Sequence, residues 1–421
     1  MQFKIGKSKP ISISLSPNTG KDDIRLALKL IFKPWEWKNG KVIEELENDF
    51  KKYFGVKHAI SFNSGRSSFL AILKSLGLKK DDEVLLQAFT CNAAANPILW
   101  TGLKPIYVDC DENTFNIDIE DLKRKITKNS KILMVQHTFG LPADMDGINA
   151  IVRQNNLILI EDCAHALGAE YKSKKVGSFG KAAFFSFSRD KVISSVYGGM
   201  AVTNDDKIAE SLRQSQKDFG YPSYFWIKQQ LLHPILMNYI ILPLYNFLDL
   251  GKIFLILSQW FHLVSKAVHW KEKRGKKPAY FPKRLPNALA LLAKNQFNKL
   301  EKFNNHRKEI SDFYYEKLKG TSFILPPKFS DRKNVFLRFT VKHKNALQII
   351  FNAWHKENIL IGDWYTTPIA PHDTKLEKMQ YKIGSCPKAE KLTKITFNLP
   401  THINVSPKDA EEIINFLNNF K

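Results

Sequence analysis

From about Val42 to Asn204 the chain alternates short apolar runs with amphipathic stretches. The runs HAISF, DEVLLQAF, KPIYVD, KILMVQH, LILIED and AAFFSFS are each strand-length. Between several of them lie segments with apolar residues at helical spacing, such as SSFLAILKSLGL and MDGINAIVRQNN. An earlier stretch, KVIEELENDFKKYFG, has the same spacing and a stop at Gly55. This alternation predicts an α/β fold with a mostly parallel central sheet and helices on both faces. Such sheets bind ligands beyond the carboxyl ends of their strands, so chemistry is expected just after the apolar runs.

After about Asp206 the pattern changes. Tyr224 to Trp270 is dense in Leu, Ile, Phe, Tyr and Trp, and a basic patch follows through Arg284. RLPNALALLAKNQFNKLEKFNNHRKEISDFYYEKL then returns to a long helical pattern. From about Gly320 short strands (NVFLRFTVKH) mix with helices (NALQIIFNAWHKEN, PKDAEEIINFLNNF), as in a smaller α+β domain. The expected organisation is an N-terminal segment 1–40, a large α/β domain 41–222, a hydrophobic and basic insertion 223–284, and a long helix with a small C-terminal α+β domain 285–421.

Charge and composition narrow the partners. The chain carries 64 Lys+Arg against 41 Asp+Glu, a formal +23. That balance suits nucleic acid, a membrane surface or phosphorylated substrates, or is a solvated basic surface. Nucleic acid is not expected, because the basic cluster adjoins an apolar segment and no nucleic-acid motif accompanies it. The four cysteines are scattered, without CxxC spacing or pairing with histidines, so reduced thiols and no metal site are expected. The first twenty residues have no apolar core of a signal peptide, and a cytoplasmic protein is expected.

The insertion raises a membrane question. Gln229 to Leu248 runs for about 20 residues without a formal charge, a length that would suit a span. Pro234 and Pro243 break it, and a second short apolar run, Ile253 to Leu257, follows. Two broken apolar helices predict a monotopic or peripheral element on the inner face of the cytoplasmic membrane. Trp226, Tyr239, Tyr245, Phe254 and Trp260 are the rings expected at the interface. Lys266, Lys271, Lys273, Arg274, Lys276 and Lys277 are expected to face anionic lipid, with Glu272 the one acid in the cluster. Packing within a dimer interface is the other reading of the same residues.

Three strand ends carry reactive groups. SFNSGRSS places Ser64, Gly65, Arg66 and Ser67 between a strand and a helix. A glycine turn entering a helix presents unpaired N–H groups that suit a phosphate, and the same residues also make an ordinary N-cap. LILIEDCAHALGA ends a strand with Glu161 and Asp162, either of which could pair with a cation, act as a base, bind metal or cap a turn. His165 either overlooks the same pocket or is a structural imidazole. Lys191 follows in SFSRDKVISSVYGGM, and a desolvated amine is nucleophilic near neutral pH. Phosphate turn, acid and lysine are what pyridoxal 5'-phosphate requires, although the spacing is compatible with other folds.

Longer segments carry a resemblance. SGRSSFLAIL, GLKPIYVDCDENTFNID, HTFGLPADMDGI, IEDCAHALGAEYKSKKVGSFG and FSFSRDKVISSVYGGMAVTND are similar to the DegT/StrS-type sugar aminotransferases, a branch of the fold-type I pyridoxal-phosphate transferases. CPKAEKLTKITFNLPTHINVSPKDAEEIINFL is similar to the family's later motifs. The resemblance implies that Lys191 bonds the cofactor's aldehyde and carries the substrate proton, and that Asp162 keeps the ring nitrogen protonated. It places Gly65, Arg66 and Ser186 at the phosphate, beside Ser64, and His165 near the phenolic oxygen. His137, Trp364, Tyr365 and His372 are implied near the substrate. The implied reaction moves an amino group from an amino acid, L-glutamate in most relatives, to a nucleotide- or lipid-linked keto sugar. A homodimer is implied because related sites are completed by both subunits. A fold retained for regulation or binding without turnover is the alternative.

Three positions depart from the family pattern. Cys91 stands where an aromatic usually covers the cofactor ring, SFSRDK replaces SFYPTK, and the asparagine usually contributed by the partner chain has no match near YFPKRLP.

Overall fold

Strands form where the apolar runs lie, and their carboxyl ends gather on one edge. The computed structural model describes residues 9–420, so the first eight residues of the N-terminal segment lie outside the described residues. The strands are β1 His58–Phe62, β2 Glu83–Gln87, β3 Lys104–Val108, β4 Ser130–Gln136, β5 Ile158–Asp162, β6 Ala182–Ser186 and β7 Gly199–Thr203. They hydrogen-bond in the order β1-β7-β6-β5-β4-β2-β3. β7 is antiparallel to both its neighbours, and the other pairings are parallel.

Successive residues of a strand point to opposite faces, and both faces are covered, which is why the runs are almost continuously apolar. Val84, Leu86, Met134 and Ile160 pack with Phe69, Ile72 and Ile98 of helices Gly65–Ser75 and Asn92–Trp100. Leu85, Leu133, Val135 and Leu159 pack with Ile148 and Ile151 of helix Met145–Gln154. Toward the other end of the sheet, Ala183, Phe185 and Met200 meet Phe50 and Phe54 of helix Val42–Phe54 and Leu289 of helix Asn287–Phe297.

The insertion has three parts with different surroundings. Helix Tyr224–Leu236 joins the main core, where Trp226, Ile227 and Leu231 pack with Ala27 and Leu30 of helix Lys21–Ile31. Trp226, expected at a membrane surface, is 7% exposed, its ring 5.4 Å from that of Tyr197 and 6.2 Å from that of Tyr280. Its periodicity matched the core-facing side of a helix that N-terminal residues cover. The chain then passes through a π-helical turn, Met237–Ile241, to helix Leu250–Trp260. No helix among the described residues is long and apolar enough to cross a membrane. The last part returns to the sheet edge.

A smaller antiparallel pair, β8 Phe339–Lys342 and β9 Thr396–Leu399, packs with helices Leu300–Leu318, Ala346–Lys356 and Pro407–Leu417 around Tyr314, Ile349 and Ile413. The segment between β8 and β9 is shared. Ile369–Ala370 pairs in parallel with Thr90–Cys91, and Cys386, Ala389 and Leu392 join the large core. This pairing carries residues 364–372 across the carboxyl edge of the large sheet.

Gly199 opens β7 against the turn that enters helix Gly65–Ser75. A Cβ there would stand 2.4 Å from the Ser64 carbonyl carbon and 2.5 Å from the Gly65 nitrogen, both backbone. Gly199→Ala is therefore expected to destabilise the protein by about 1–3 kcal/mol, read as a lower urea midpoint with unchanged slope.

Candidate active site

Gln136, Asp162 and Ser186 end β4, β5 and β6, and Gly65 follows β1, so four strands deliver polar groups to one edge. There they border a cavity of 270 Å³, together with Arg66, Cys91, His165 and Lys191 from the large domain. Trp364, Tyr365 and His372 close it from the crossing segment. Ten of the residues singled out in the sequence thus meet around one space. Two do not. Ser64 is the N-cap of its helix, its Oγ accepting from the Ser67 N–H at 3.0 Å.

His137, expected near substrate, is enclosed behind β5. Its Nδ1 accepts from the Ala143 N–H at 3.1 Å, so its Nε2–H donates to Glu161 at 3.2 Å. Glu161 also accepts from the N–H groups of Gly177, Phe179 and Gly180 at 2.7–2.8 Å. Strand alternation separates the two acids of LILIED: Asp162 looks into the cavity, and Glu161 looks away to buttress the loop on the opposite face. With Cys163, His137 and Glu161 place donor atoms within 4.8 Å of one another, but these hydrogen bonds already engage the His137 and Glu161 ligand atoms.

Desolvation governs the site's charges. Burial raises Asp162 from 3.8 to about 6, against the pull of the Ala164 N–H and the Lys191 charge. Burial also lowers Lys191, although Asp190, Cys91 and Asp162 favour its charged form. Its ammonium lies 4.7 Å from the centre of the Trp364 ring. Burial, with Lys191 and Arg338 nearby, drives His165 well below its ordinary value. His165 Nδ1 accepts from the Phe139 N–H at 3.3 Å, leaving the proton on Nε2. This neutral imidazole stacks on Trp364 at 5.4 Å and 20°, and Trp364 continues onto Tyr365 at 5.6 Å and 12°. His165, Trp364 and Tyr365 thus form a continuous run of stacked rings on the wall of the cavity that Cys91 also borders. Phe89 stands behind, edge-on to Tyr365.

The lysine loop is held from behind. The Asn18 amide donates to the carbonyls of Lys191 and Val192. Arg307, fully buried on helix Leu300–Leu318, donates to Val192 O at 2.7 Å and to Asn18 Oδ1 at 2.9 Å.

Gly65 approaches β6 so closely that a Cβ would lie 3.0 Å from Ser186 Cβ and 3.2 Å from the Phe185 carbonyl oxygen. Arg66 and Arg189 border the same cavity. Arg66 is ion-paired with Glu272, a fully buried acid that the sequence placed in a surface basic cluster. Burial opposes the Arg66 charge, and Glu272 more than restores it. A close backbone turn with two guanidiniums fits a phosphate, Asp162 fits a pyridine nitrogen, and Lys191 fits an aldehyde carbon. Gln136, Ser188 and Tyr197 were not singled out in the sequence, and the signal for Glu272 was a lone acid inside a basic run.

A lysine and a buried acid at the carboxyl edge of this sheet, with a phosphate cradle in the same cavity, define a pyridoxal-phosphate-dependent transferase of fold type I. The chain belongs to the DegT/DnrJ/EryC1/StrS aminotransferase family, whose model matches residues 18–232 and 258–418 and leaves out the centre of the insertion. It is accordingly a PLP-dependent aminotransferase. The chain is 42% identical to the GDP-perosamine synthase of Caulobacter vibrioides over 179 residues, which span 42% of this chain and 48% of that protein. It is 29% identical to the UDP-N-acetyl-3-dehydro-alpha-D-glucosamine 3-aminotransferase of Acidithiobacillus ferrooxidans, covering 84% of this chain and 82% of that one. The PMP form of the sugar aminotransferase Spr1654 from Streptococcus pneumoniae shares the fold, with a TM-score of 0.76, 20% identity and 96% of each chain covered.

The raised Asp162 makes a stability test. Its folded state binds a proton more tightly than the unfolded chain does. Its stabilising contribution is therefore full below about pH 4 and lost as pH rises through about 6. In cofactor-free protein at pH 7.5, Asp162→Asn is expected to stabilise by on the order of 2 kcal/mol, seen as a higher melting midpoint. The gain should vanish at pH 4, and transamination by the loaded variant should fall steeply.

Proposed function

We propose that the protein transfers an amino group from an amino acid, L-glutamate in the first instance, to a keto sugar used in cell-surface glycan or glycolipid biosynthesis. The acceptor is carried on a nucleotide or a lipid. The observation that carries this reading is the desolvated Lys191 set in the same cavity as Asp162. Bound pyridoxal phosphate supplies an electron sink for the charge left when a proton leaves the substrate carbon. Lys191 would hold the cofactor through its amine and, once freed, would serve as the base for that proton, a role its lowered proton affinity suits. Asp162 keeps a positive charge on the ring nitrogen. His165 donates from Nε2 toward the ring's oxygen, while Trp364 covers the Lys191 ammonium and excludes water. Tyr365 and His372, on the crossing segment, contact the acceptor.

Lys191→Ala is expected to abolish transamination of keto-sugar acceptors with L-glutamate. The parent protein with cofactor should change its visible spectrum when glutamate is added, and the variant should not. A parent that binds cofactor but never responds to any amino donor would instead favour a binding or regulatory protein that retains the fold.

The second part of the proposal concerns location. Helix Leu250–Trp260 turns Ile256, Leu257 and Trp260 outward, and Tyr239, Phe247, Leu248 and Phe261 extend the face; Ile256 is 66% and Trp260 71% exposed. Lys266, Arg274, Lys276 and Lys277, on the segment that follows it in sequence, are exposed. Tyr245, Phe254, Lys271 and Lys273 are half-buried, and Lys273 is paired with Asp373 at 2.5 Å, so these contribute less. A broad apolar face, with exposed cations on the segment that follows it, favours peripheral docking on the anionic inner face of the cytoplasmic membrane. The protein acts as a homodimer, and the same face serves as the subunit interface if lipid is not its partner. Ile256→Asp with Trp260→Asp should cut sedimentation with vesicles containing anionic lipid at least about tenfold at unchanged melting temperature. A shift from dimer to monomer with vesicle binding unaltered assigns the face to the subunit interface.

A further inference from the structure

The returning limb of the insertion, Val264 to Gly275, does not lie out on the surface with the apolar helix. Ala267 and Val268 border the cavity. The Tyr197 hydroxyl donates to the carbonyl of Lys266 at 2.7 Å, and Arg66 Nη2 donates to the carbonyl of Ala267 at 3.3 Å. Glu272 pairs with Arg66, accepts from the His269 N–H at 2.8 Å, and is anchored through its carbonyl by the Asn96 amide at 3.1 Å. Ser265 Oγ accepts from Arg189 Nη2. One limb therefore fixes two guanidiniums that border the cavity.

The two are not equivalent. Arg66 has a carboxylate. Arg189 has no ion pair among the described residues, since Asp190 beside it turns to Arg338 at 3.5 Å. Arg189 Nε is buried without a hydrogen-bond partner, and its guanidinium lies 5.5 Å from the Tyr197 ring. Burial and the neighbouring Arg66 both press against its charge. A guanidinium withdrawn from water, not neutralised and facing a cavity between serines is set up to receive an oxyanion.

We infer that Arg189 binds the cofactor phosphate, and that the returning limb of the insertion positions Arg189 and Arg66 so that the phosphate end is closed from within one chain. This rests on the cofactor reading above. The test titrates cofactor-free protein with pyridoxal phosphate and, separately, with pyridoxal, which has no phosphate, following quenching of tryptophan fluorescence. Arg189→Gln should weaken pyridoxal phosphate at least about tenfold and pyridoxal less than about twofold. Ser265→Ala, which only loosens the arginine, should shift the same ligand selectively by about threefold. Arg189→Lys, which retains the charge, should recover part of the loss and serves if the glutamine variant does not fold. Equal losses for both ligands, or none for either, overturn the inference. A parent protein that binds neither ligand overturns the cofactor reading instead.

Discussion

Keeping water from one edge of the sheet is the constraint on which the site depends. The same desolvation pushes the Asp162 carboxyl up, pulls the Lys191 amine down and keeps His165 neutral. Any one of these shifts in isolation would be a cost to folding. Together they make a set in which an acid with raised proton affinity, an amine with lowered proton affinity and a neutral imidazole border one space. The crossing segment, the stacked rings and the returning limb serve to maintain that dryness.

Much of this was legible in the sequence because parallel strands covered on both faces must be apolar on both. Six runs announced six strands, and the residues just after them announced the site. β7 did not announce itself, because GMAVT begins with glycine and follows a small-residue turn. Asp162 and Glu161 were indistinguishable until the register of β5 turned them to opposite faces. Glu272 and Trp226 were misread for a shared reason: local composition reports the neighbours in sequence, and both have partners far away in it. Arg66 lies 206 residues from Glu272, a separation no periodicity encodes.

The insertion is best regarded as three elements with one origin. Its first helix completes the core, its second presents apolar side chains outward, and its last limb enters the cavity wall. The family model resumes at 258, before that limb, so the unmatched residues are mainly those of the outward element. The cavity wall and the outward apolar face are thereby carried on contiguous chain.

The clamp behind the lysine loop ties together parts of the molecule that sequence distance would keep apart. Asn18 holds the carbonyls of Lys191 and Val192, Arg307 holds the Val192 carbonyl and the Asn18 side-chain oxygen, and Gln296 holds the Asn18 carbonyl at 2.9 Å. The front of the polypeptide is therefore a structural component of the reactive centre rather than a dispensable leader to it. Shortening the chain past Pro17, grafting a fusion partner there or exchanging this stretch with a homologue alters the footing of Lys191 itself.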